Sequence, residues 1–237
     1  NTSAIVIEGG LNFIANNYVQ AGGALESKAI LLSRLYNDLN GSIVANNSIE
    51  NTGTAGNSYG IYIDGDISNL TVKNNIFSAK NGGVLLNVSN PLTNIDWDYN
   101  CYYTTGNIIG SYNGTNYSSV SALGAAMGSD ANSLNVNPFF VSDTNLTTNQ
   151  GQLQAGTSIA GVATDIDGTV RGNPPTIGAK EYAGCNNDAG INRVVHPTSP
   201  LSSTTNNIEV ELSNQGNNAL SSVTIAWSVN DVVQTPY

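Results

Sequence analysis

The stretch "SIVANNSIEN", residues 42–51, places two adjacent amides between short apolar runs, in what reads as a β-strand, a setting that normally depletes Asn. The phrase returns in altered form as "NFIANNYVQ" (12–20), "LTVKNNIFS" (70–78) and "IDWDYNCYY" (95–103). Aligned on the second amide, the copies give Asn17, Asn47, Asn75 and Asn100, at intervals of 30, 28 and 25 residues. Three positions earlier stand Ile14, Val44, Val72 and Trp97; two positions later stand Val19, Ile49, Phe77 and Tyr102. A period of this length marks a repeat architecture.

A second strand phrase alternates with the first: "AIVIE", "AILLS", "GIYID" and "GVLLN". Turn-forming Gly, Asn, Asp and Ser separate the runs, and no segment of the region carries a 3.6-residue apolar period. Short strands at a fixed period suit a solenoid, with coils stacked in parallel register ~4.8 Å apart. The repeated amide then has a role. Buried alone, an Asn side chain is costly; stacked on another, its NH2 donates to the carbonyl oxygen of the next coil. Asn17, Asn47, Asn75 and Asn100 are expected to form such a structural ladder. Further on, Ser119 can cap a short helix whose Val120, Leu123 and Met127 share one face, with Gly128 ending it.

Over residues 1–184 this pattern resembles the right-handed parallel β-helix proteins of the pectate-lyase-like superfamily. "SVSALGAAMGSDANSLNVNPFF" (119–140) looks like a segment that closes such helices in secreted bacterial proteins. "DIDGTVRGNPPTIGAKEY" (165–182) resembles the terminal motif of the same group, through Asp165, Asp167, Gly168, Arg171, Gly178, Ala179 and Glu181. The expected fold is all-β: a parallel β-helix with a short capping helix (1–184), then a linker and a partial β-sandwich (185–237). Gly184–Gly190 reads as the linker. After it, "INRVVHP", "NIEVELSNQG" and "VTIAWSVND" read as three strands with period-two alternation. They resemble the opening of an immunoglobulin-like module of adhesion type, which implies a core role for Trp227 and a strand-end position for His196.

The 237 residues include 17 acidic and 7 basic side chains, for a net charge of -10. The scattered Lys and Arg argue against a nucleic-acid partner, and no run approaches the ~20 apolar residues of a membrane helix. The opening "NTSAIVIEGG" enters directly on a strand phrase with nothing to cap a coil edge, so the chain reads as part of a longer protein. Two cysteines, Cys101 and Cys185, allow one disulfide or two unpaired thiols. Low cysteine content, abundant Asn and Thr, and the family resemblance together imply a secreted or cell-surface bacterial protein.

In the superfamily, a polysaccharide lies along the outer face of one sheet, so the outward rows are the place to look. One holds Val6, Leu31, Tyr62 and Leu85, and the next holds Glu8, Ser33, Asp64 and Asn87, with Arg34 nearby. On the other sheet, Ala15, Ala45, Lys73 and Asp98 form a row, with Asp96 on the same face. Lys73 beside Asp98 reads as a cross-coil ion pair or as a base with a metal ligand. "YIDGD" and "TDIDGT" resemble calcium loops in spelling but lack the full loop and its closing Glu; Asp165 or Asp167 clasping Arg171 explains the second. Calcium is thus the one cofactor in question, with no metal ligands assigned. No base sits with two or three carboxylates, and no catalytic residue is assigned. The carbohydrate-contact candidates are Tyr62, Asp64, Asp66, Lys73 and Asp98. The sequence therefore points to a non-catalytic, glycan-contacting or adhesive section of a surface protein; the alternative is the C-terminal portion of a polysaccharide lyase or glycoside hydrolase.

Overall fold

A computed structural model describes residues 2–23, 26–34, 39–53, 58–184, 189–197, 207–214 and 219–237. The chain divides into two compact units, Asn1–Tyr182 and Ala183–Tyr237. In the first, three short strands make a coil: β1 (Thr2–Ile7), β2 (Phe13–Ala15) and β3 (Tyr18–Ala21). The same trio follows as β4 (Ser27–Ser33), β5 (Ile43–Ala45) and β6 (Ser48–Asn51), then as β7 (Ser58–Asp64), β8 (Thr71–Lys73) and β9 (Ile76–Ala79), then as β10 (Val84–Val88), β11 (Asp96–Asp98) and β12 (Cys101–Thr104). First strands pair only with first strands, second with second and third with third, all in parallel, so the unit is a β-solenoid.

The apolar rows align as their spacing requires. Ile14, Val44, Val72 and Trp97 pair in one register, and Val19, Ile49, Phe77 and Tyr102 in another. All eight are buried, and the Phe77 and Tyr102 rings stack at 5.6 Å. Between second and third strands the chain turns in two residues. The first takes a left-handed conformation, with φ of 57° at Asn16, 52° at Asn46 and 55° at Asn74; Asn tolerates this region better than other non-glycine residues. The second is the ladder amide. Nδ2 of Asn17 donates to Oδ1 of Asn47 at 2.9 Å, Asn47 to Asn75 at 2.9 Å, and Asn75 to Asn100 at 3.1 Å. The doubled amide thus has two separate causes, a turn and a rung.

The fourth coil departs from the expected register. Tyr62 pairs with Asn87, not Leu85, and Leu85 is buried. The register is displaced by two residues, which keeps the alternation of faces and seats Leu86 and Val88 on Ile61 and Ile63. Leu85 lies opposite Gly60, where an added Cβ would stand 2.7 Å from the Leu85 carbonyl oxygen. After the last coil, β13 (Gly110–Tyr112) extends the first sheet and β14 (Thr115–Tyr117) closes it antiparallel. Helix α1 (Val120–Met127) follows, capped by Ser119 Oγ and ended by left-handed Gly128, with Val120, Leu123 and Met127 buried.

The segment after α1 first covers the edge of the last coil, where Asp130 N donates to Trp97 O, Leu134 N to Asn100 O and Tyr102 N to Leu134 O. It then runs back along the outside as a strap over the third sheet, where Phe140, Leu146, Leu153 and Ile177 cover Ile76 and Cys101 in a second core. The turn amides hold it: Asn16 Nδ2 donates to Thr164 O at 2.7 Å, and Asn74 Nδ2 to Thr157 O at 2.6 Å. The backbone comes so close at Gly178 that a Cβ would stand 2.6 Å from Ile76 Cδ1. Arg171 is clasped by Glu181 at 2.8 Å, rather than by Asp165 or Asp167, and also donates to Asn16 Oδ1 at 2.6 Å. Asp165 instead accepts the amide N–H groups of Asp167, Thr169 and Glu181, and Asp167 pairs with Lys180.

In the second unit, β15 (Ala189–His196) pairs antiparallel with β16 (Glu209–Asn214), and β17 (Ser228–Val229) with β18 (Val232–Val233). Ala189 and Gly190, read as linker, begin β15, and His196 ends it. Trp227 is half-buried rather than a core residue, and its Nε1 donates to Thr235 O. Among the described residues these are two small sheets without a buried core. Cys101 is a buried free thiol donating to Val136 O, and Cys185 lies outside the described residues.

Candidate functional site

The outer face of the first sheet carries the aromatic residues. Tyr62 pairs with Leu31 on one side and Asn87 on the other. The Lys28 ammonium lies 4.4 Å from the Tyr62 ring centroid, a cation–π contact that occupies one ring face. Lys28 is itself paired with Glu26 at 2.6 Å. Tyr59 packs edge-on against Tyr62, with ring centroids 5.1 Å apart and planes at 70°. The two rings share the outer face because consecutive residues between them, Gly60 and Ile61, are both buried, which breaks strict alternation.

Beside them opens a cavity of about 520 Å³ lined by Tyr59, Val84, Asn87, Asn107, Ile108, Ser111 and Asn116, with Gly82 and Gly106. Asn87 pairs with Ser111, which pairs with Asn116, so three polar side chains form a row across neighbouring strands. Tyr59 is the aromatic wall. Burial, with some help from Tyr62 and Glu26, pushes its hydroxyl pKa up, so the phenol stays neutral. Sequence reasoning missed Tyr59 because it precedes the strand phrase "GIYID"; the one cue was Gly60, at the irregularity.

The other candidates lie elsewhere. Asp64 and Asp66 are exposed at the end of β7, where Arg34 Nη1 donates to Asp66 O at 3.2 Å. Lys73 and Asp98 do share a row on the second sheet, but Lys73 pairs diagonally with Asp96 at 2.6 Å. Asp98 is committed to the loop after α1, accepting from Asn132 N and Asn132 Nδ2, both at 2.7 Å. The structure therefore does not gather Tyr62, Lys73 and Asp98 on one sheet.

A third group lies at the C-terminal end, where Asp96, Asp98 and Asp130 border a cavity of about 440 Å³. Asp130 is buried and accepts from Tyr102 Oη at 3.0 Å, while Trp97 Nε1 donates to that same hydroxyl at 2.7 Å. Burial raises the Asp130 pKa to about 6, against the opposing bonds from Ser133 and Tyr102. No group of three acidic, Cys or His side chains among the described residues is placed to hold a metal ion. No family model, curated protein or solved structure matches the chain.

Proposed function

We propose that this chain is a non-catalytic, carbohydrate-contacting section of a larger secreted or cell-surface bacterial protein. The solenoid serves as a right-handed, pectate-lyase-like rod, and Ala183–Tyr237 as the opening strands of an immunoglobulin-like adhesion module. The observation that carries the contact role is the cavity walled by Tyr59 and lined by side-chain amides. Aromatic rings supply a flat apolar face for a sugar ring, and amides supply a donor and an acceptor together. The extracellular setting draws on the resemblance of "DIDGTVRGNPPTIGAKEY" to a closing motif of secreted proteins.

A second reading, hydrolysis or elimination on a glycan, has one observation in its favour. Asp130, with its raised pKa, borders a cavity together with Asp96 and Asp98, and acid chemistry uses carboxyls tuned in this way. Against it, Asp130 already accepts from Tyr102 and Ser133 as part of the packing below α1. The test is glycan-array binding by the purified chain, with product analysis on the same glycans. Binding without turnover is expected; turnover abolished by Asp130→Asn would replace this reading with the enzyme.

A further inference from the structure

Resting on that reading, we infer that the ligand is an uncharged oligosaccharide lying along the solenoid axis, with successive pyranose units over successive strands. The cavity, at about 520 Å³, is within the usual range for ligand sites. Apart from the neutral Tyr59 phenol, its lining contains no ionisable side chain. The flanking Lys28 and Glu26 are paired with each other at 2.6 Å, so the wall offers no free cation to an acidic sugar and no free carboxylate to an amino sugar. The chain's net charge of -10 further opposes a polyanion.

The orientation follows from register. Asn87, Ser111 and Asn116 stand on three adjacent strands, each ~4.8 Å from the next. That step is close to the length of one pyranose residue, so each polar side chain meets the hydroxyls of a different sugar. Tyr59 and Val84, paired across β7 and β10, form the apolar wall for the C–H face. Tyr59 is held in place by its edge contact with Tyr62, which is fixed by Lys28, so little ordering remains for binding to impose.

The experiment is calorimetric titration of the intact chain with neutral oligosaccharides (gluco-, xylo- and manno-) and with oligogalacturonate and oligomannuronate, at low and high salt. Neutral ligands should bind, with affinity rising to about three sugar units and little affected by salt. Tyr59→Ala should weaken binding by about tenfold or more, whereas Tyr59→Phe should keep most of it. Asn87→Ala should weaken binding as well, with the melting curve of each variant serving as the folding control. A preference for the uronates, or binding that collapses with salt, would overturn the neutral class and leave the glycan-contact reading standing. Neutral binding indifferent to both Tyr59→Ala and Asn87→Ala would overturn the site. Failure of every glycan would overturn the underlying reading together with this inference.

Discussion

Each inner ladder amide is bonded on every side. Asn75 Nδ2 faces Val44 O at 2.9 Å, Lys73 O at 3.0 Å and Asn100 Oδ1 at 3.1 Å, while its Oδ1 accepts from the backbone and side chain of Asn47. Asn75→Leu should therefore destabilise the solenoid by roughly 1–3 kcal/mol in urea unfolding, because the neighbouring amides lose buried partners. The same change at Asn17, a half-exposed terminal rung, should cost clearly less. Glu50 shows the opposite condition. Its carboxylate is buried, and neither oxygen has a hydrogen-bond partner among the described residues; Ser78 Oγ beside it is likewise unpartnered. The nearest cation, Lys80, is 3.9 Å away and bonds Asp143 at 2.9 Å instead. Desolvation raises the Glu50 pKa, and the attraction of Lys80 does not offset it. The folded state thus favours the protonated acid, and stability is lost as pH rises through the folded pKa. Glu50→Gln should raise the melting temperature at neutral pH, and a lower value there would contradict this account.

Among the elements, the strap is the one whose role was least legible in the sequence. "DIDGTVRGNPPTIGAKEY" stood out as a motif, but its contacts reach 130 to 155 residues back, from Thr176 to Asn46 and from Arg171 to Asn16. Nothing local ties those amides to it, so the first Asn of each pair read as a variable position. The strands themselves were legible because stacking forces each coil to repeat the same apolar spacing. Where the repeat is irregular, at Gly60 and Leu85, strict alternation failed, and with it went Tyr59. The strap's anchor is testable. Arg171 and Glu181 side chains are only 6% and 11% exposed, and removing one partner leaves a buried charge uncompensated. Glu181→Ala should cost about 3 kcal/mol and loosen the cover over Cys101. In a Cys185→Ser background, that loosening should appear as faster reaction of the Cys101 thiol, whose pKa burial now pushes up to about 12.

At the scale of the whole molecule, stability should fall between mildly acidic and neutral pH. Asp130, raised from 3.8 to about 6, binds its proton more tightly in the folded state than in the unfolded chain. Its contribution is complete below about 3.8 and lost as pH rises through about 6, a difference of about 3 kcal/mol. Asp165 has the opposite sign. Burial pulls its pKa up, but the N–H groups of Glu181, Thr169 and Asp167, with Arg171 nearby, outweigh that and hold it low. Its contribution is present above 3.8 and lost as the pH falls through its lowered pKa. Urea titrations from about pH 4 to pH 7 should show the decline in the native chain, and Asp130→Asn should flatten it. A native chain most stable at neutral pH would contradict the assignment.

The ladder also bears on how the molecule ages. An asparagine decays when the backbone nitrogen of the next residue attacks the side-chain carbonyl carbon and ammonia departs, making such residues thermolabile. At the rungs that nitrogen is engaged: Ser48 N donates to Asn17 O, Ile76 N to Asn47 O and Cys101 N to Asn75 O, at 2.8–2.9 Å. Glycine follows Asn40, Asn81 and Asn113, where no side chain hinders the attack. Peptide mass spectrometry of chain stored at alkaline pH should find the resulting aspartates at those three turns and leave Asn47, Asn75 and Asn100 intact. The interior of the rod would then outlast its surface, because the bonds that set register also immobilise the atoms whose meeting begins the decay.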